Sequence, residues 1–151
     1  MSEQHQIFLI GGAEDEAGVI SMEPENDRCH IGFSYRGRCV EAAATDYFEA
    51  FCQVRLELER EELIPYCYGA SLNVYPSGMG RDMGAGLKAY KMTVGYYTRM
   101  QDLVDIFASG PDVIPASVLS QREFFEEWLK TPKSHLTDPS DIPLPGPPSR
   151  R

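Results

Sequence analysis

Glycines, methionines and two cations crowd into one segment of this chain. From Pro76 to Gly86 it reads Pro-Ser-Gly-Met-Gly-Arg-Asp-Met-Gly-Ala-Gly, with Lys88 just beyond. Gly78, Gly80, Gly84 and Gly86 allow successive amides to converge on an anion, and Arg81 and Lys88 supply charge beside them. The named phosphate motifs are excluded. A Walker-type loop ends in Gly-Lys-Ser/Thr and a dinucleotide fingerprint runs straight into a helix, whereas here a strand-like run follows. Met79 and Met83 are flexible apolar side chains in a polar loop, suited to an irregular partner surface. Their plainer use is as a small cluster tucked under the loop. Arg81-Asp82 between them reads as a local ion pair or as a polar clamp on a partner.

Other groups carry weaker signals. Ser71, Ser77 and Cys67 lie in or beside this segment, but no Gly-x-Ser-x-Gly elbow and no triad spacing accompanies them, so no catalytic residue is assigned. His5 stands near the start, His135 near the end, and His30 in mid-strand, where a surface or hydrogen-bonded role suits it best. Cys29, Cys39, Cys52 and Cys67 lack paired close spacing, and strand alternation sends Cys29 and His30 to opposite faces. No metal site and no cofactor is expected, and the thiols read as buried and free.

The 151 residues are one domain's worth, with 42% apolar residues for a core and a net charge of -9. Such acidity argues against duplex nucleic acid and anionic lipid, and favours a basic protein partner. Residues 1–27 hold seven acids and no base, while residues 71–100 hold Arg81, Lys88, Lys91 and Arg99 against Asp82 alone. The loop is thus a positive island, whose cations in the bland reading pair with acids elsewhere. The start lacks the basic end and long apolar core of a secretory signal, and no apolar run approaches membrane-spanning length, which together point to the cytosol.

The surrounding elements must position these residues. Ile7–Ile10, Val19–Met22 and the strictly alternating Cys29–Tyr35 predict three strands in a meander. Tyr47, Phe51, Val54 and Leu58 predict a long helix from about Thr45, its N-cap, to Leu63, with Glu49, Glu57, Glu59, Glu61 and Glu62 outward. Tyr66–Tyr75 and Tyr90–Val94 alternate cleanly and predict an antiparallel pair around the 76–86 loop. Thr98 with Gln101, and Ser120 with Glu123, have capping-box spacing and predict two C-terminal helices; Leu119 and Phe124 add a hydrophobic staple to the second. Prolines crowd the stretch from Thr131 onward.

The resulting expectation is a single α+β domain over 1–130, with an antiparallel sheet of about five strands, one long helix packed on it and two C-terminal helices. A proline-rich flexible tail is expected over 131–151. Functionally, the chain reads as a small acidic cytosolic interaction protein of the adaptor, inhibitor or immunity kind, presenting the loop and the acidic helix face to a protein partner. Its contacts would be Asn73, Tyr75, Ser77, Met79, Arg81, Asp82, Met83 and Lys88. The competing expectation is a small-ligand, anion-binding protein or enzyme using the 76–88 loop and the adjoining strand face. A third is self-assembly through an exposed sheet edge.

Overall fold

A computed structural model describes residues 3–134. The chain opens with an antiparallel meander of β1 (Glu3–Ile10), β2 (Ala17–Glu25), β3 (Arg28–Tyr35) and β4 (Arg38–Ala44). Two-residue turns set its registers: Asn26-Asp27 and Arg36-Gly37 all take positive φ, the backbone twist that tight hairpins need. The buried face carries Ile7, Leu9, Ile20, Met22, Ile31, Phe33 and Tyr35. A short β5 (Ile64–Pro65) joins the far edge of β1, giving one five-stranded antiparallel sheet in the order β4-β3-β2-β1-β5.

Against that face lies α1 (Tyr47–Glu59), with Phe48, Phe51, Val54 and Leu58 fully buried. Its cap is Asp46, one residue later than the Thr45 expected, because the Asp46 carboxylate accepts from the Glu49 amide at 2.7 Å. The helix closes at Glu59, short of Leu63. Leu63 N–H reaches back to Leu58 C=O and Glu62 N–H to Glu59 C=O, with Glu62 at φ +61°, so a Schellman closure is built on a glutamate instead of glycine.

A second, three-stranded antiparallel sheet contains β6 (Val74–Tyr75), β7 (Lys88–Lys91) and β8 (Leu103–Asp105) in that order. The expected ten-residue strand over 66–75 is therefore reduced to two residues. Upstream of them the backbone bonds leave the sheet: Tyr68, Gly69 and Leu72 amides donate to Ala108, Ile106 and Ile114 carbonyls, and Tyr68–Ala70 is a single 3-10 turn. The 76–86 connection is not irregular, since α2 (Gly78–Met83) fills it.

The first expected C-terminal helix is absent. Its residues form one 3-10 turn at Met100–Asp102, capped by the Asp102 carboxylate on Arg99 N–H at 2.8 Å, and then β8, where Leu103 and Val104 pair with Tyr90 and Ala89. The second is α3 (Val118–Lys130), capped by Ser117 through Ser120 N–H, so Ser120 lies inside the first turn and the staple does not form, Leu119 being exposed. Sheet membership also differs from expectation, with β4 and β5 completing the five strands. Lys133 lies over the Trp128 ring and Ser134 N–H donates to Gly95 C=O; the rest of the expected proline-rich tail, 135–151, falls outside the described residues.

The elements meet at a buried polar hub. The Arg55 guanidinium, on α1, donates to Gly69 C=O at 2.9 Å, Ala116 C=O at 3.0 Å and Gln121 Oε1 at 2.7 Å. The Gln121 amide, on α3, donates in turn to the carbonyls of Gly69, Ser71 and Val74. Among the described residues, no helix is long and apolar enough to cross a membrane.

Candidate functional site

Helix α2 is held from three sides. Ser77 Oγ caps it by accepting from Gly80 N–H at 2.9 Å. Behind it, the Arg81 guanidinium pairs with Asp46 at 3.1 Å and Glu49 at 3.7 Å, and lies over the rings of Phe48 and Tyr75. After it, Tyr47 N–H donates to Ala85 C=O at 2.7 Å, and Gly86 turns at φ +73° so close to Asp46 that a Cβ would sit 2.7 Å from the carboxylate. One aspartate thus caps α1 and anchors α2.

With Arg81 turned inward, Met79 and Met83 face out, 71% and 81% exposed. Together with Ser77, Lys88, Tyr90 and Leu103 they line a shallow groove of about 330 Å³ between α2 and the second sheet. Lys88 stands on its rim, paired with Asp105 at 2.9 Å.

Of the residues expected at a site, Ser77, Met79, Met83 and Lys88 are brought together here, and Asp82 is exposed on the same helix. Arg81 is the anchor behind. Tyr75 is part of the core, stacked on Phe125 at 4.1 Å and edge-on to Phe48. Asn73 accepts from Ser71 Oγ at 3.2 Å and donates to Met92 C=O. Tyr90 and Leu103 were missing from the expected set, because Leu103 read as a helix residue; its pairing with Tyr90 on β7 brings it to the groove.

The glycine amides are committed to the loop. Gly80 donates to Ser77 Oγ, and Gly84 and Gly86 both donate to Gly80 C=O. Arg81, Lys88 and Lys91 each have a carboxylate partner, Lys91 using Asp112 at 3.1 Å. The positive island is therefore compensated by its own chain.

The acidic helix face is similarly engaged. Glu49 meets Arg81, Glu57 meets Arg60, and Glu59 accepts from Val118 N–H. Glu61, past the helix end, gathers Tyr35, Arg36 and Arg38. His30 meets Glu41 across strands at 3.0 Å. Ser71 Oγ accepts from Ile114 N–H, and complete burial pushes the Cys67 thiol up to about 12, which keeps it a poor nucleophile. The thiols differ from expectation: Cys52 and Cys67 are buried, Cys29 half-buried and Cys39 exposed, all free.

Neither protein-family models nor curated proteins match this sequence. The geometry of the groove therefore carries the functional reading. It holds two mobile apolar side chains on a fixed helix, and its one rim cation is already paired.

Proposed function

We propose that this chain is a cytosolic protein-interaction module, of the adaptor or inhibitor kind, which grips a protein partner through the groove beside α2. The observation that carries the reading is the exposure of Met79 and Met83 on a helix that is itself tied down. Burying each methionine against a partner is worth about 1.5–3 kcal/mol. A backbone already ordered by Asp46 and Ser77 adds little ordering cost on binding, and methionine shapes itself to an uneven surface. Asp82 on α2 and the net charge of -9 favour a partner with basic residues around its apolar contact.

The anion-binding alternative draws less support, since the amides and cations it would use are occupied within the chain. The test is photo-crosslinking from position 79 or 83 in cells, followed by affinity measurement with the captured protein in purified form. Met79→Ala/Met83→Ala should weaken the complex at least about tenfold while leaving the melting temperature unchanged. Full affinity in that double variant would sink the reading.

A further inference from the structure

A second concavity opens where the inner face of the meander runs past the core. On β1 the inward parity that buries Ile7 and Leu9 continues to His5 and Glu3, and Glu3 stands opposite Met22 in the register. Facing them are Leu87, Asp105 and Phe107, with the His5 and Phe107 rings 5.8 Å apart. The cleft between measures about 200 Å³. A recess of about 220 Å³ adjoins it, sharing Glu3, Met22 and Leu87 and walled by Tyr47.

Tyr47 is the residue that points to a ligand. It is 7% exposed, it lines the recess, and its hydroxyl has no hydrogen-bond partner among the described residues. Buried hydroxyls are ordinarily satisfied, so this one is available to a guest. The charges around it are negative: Glu3 and Glu23 both act on it through space. Asp105, at the other end of the cleft, is shared with Lys88 on the rim.

We propose that this cleft binds a short organic ammonium ion. The ammonium lies between the Glu3 carboxylate and the Tyr47 hydroxyl, its alkyl chain lies along Met22 and Leu87, and a second ammonium on the same chain reaches Asp105. An anion would meet uncompensated carboxylates, and a neutral apolar guest would leave the Tyr47 hydroxyl unsatisfied. The aromatic walls of Tyr47 and Phe107 add to the attraction for a cation. This site is independent of the α2 groove.

The test is calorimetric titration of the full chain with n-butylammonium and 1,4-diaminobutane, with butanol and butyrate as matched controls. Both amines should bind, the diamine more tightly, and neither control should. Glu3→Gln, a change at an exposed side chain, should weaken amine binding about tenfold. Tyr47→Phe, which removes a single oxygen, should weaken it several-fold, and Lys88→Met, which frees Asp105, should tighten the diamine. Glu57→Gln, away from the cleft, should change nothing. The proposal is overturned if no heat appears at millimolar amine, if the controls bind equally well, or if binding ignores both Glu3→Gln and Tyr47→Phe.

Discussion

Arg55 is the largest side chain buried completely in this protein, and no carboxylate touches it. Its charge is held by two carbonyls and an amide oxygen, while burial lowers its proton affinity and Nε has no partner. Next to it Leu56 is half exposed, the reverse of what residue type would assign. Gln121 is the other half of the hub, and its loss would strand Ser71 and Val74 carbonyls and one Arg55 donor. Gln121→Leu should therefore lower stability by about 3 kcal/mol in urea unfolding. A loss below about 1 kcal/mol would mean that the hub rearranges freely.

Between elements, the contact that matters most for the groove is that of Asp46 with the α2 loop. Asp46→Ala removes a helix cap and the partner of Arg81, and should cost about 2 kcal/mol, whereas Asp46→Asn keeps the cap and should cost about half as much. Gly86→Ala forces a side chain into positive φ and against Asp46, and should also cost about 2 kcal/mol, read as a lowered melting temperature. The glycines of this loop, conspicuous in the sequence, thus serve close packing. The three meander strands were legible because Ile20, Met22, Ile31 and Phe33 alternate against solvent. The α1 apolar face was legible from its 3.6-residue period. What stayed hidden depended on distant partners: Leu103 and Val104 suit a helix until β7 is beside them, and Tyr66–Leu72 alternates without a ladder because its partners are loop carbonyls. The site was half legible for the same reason. Methionines in a polar loop stand out by type, but nothing near Arg81 in sequence announces Asp46.

Across the whole molecule the surface carboxylates set the acid limit. Arg36 holds the Glu16 carboxyl down at about 2, Tyr35 and Arg38 lower Glu61, and Tyr68 and Lys91 lower Asp112. Each is more acidic folded than unfolded, so each contributes stability above the ordinary carboxylate range, and that stability fades as the pH falls toward the folded value. The melting temperature should stay level from about pH 7 to pH 5 and drop between about pH 4 and pH 2. Arg36→Met should be less stable than the parent near neutrality and equal to it near pH 2; a constant gap across that range would refute the assignment. High salt should shrink the neutral-pH gap, because these pairs face water.

The hub at Arg55 also bears on the order in which a growing chain can fold. Its partners lie 14, 61 and 66 residues further on, at Gly69, Ala116 and Gln121. While the ribosome has delivered only the meander and α1, the guanidinium has to stay in water and the apolar face of the sheet stays open with it. Closure waits for α3, so the fold is completed as a late event in synthesis and the early strands spend that interval exposed to whatever holds nascent chains.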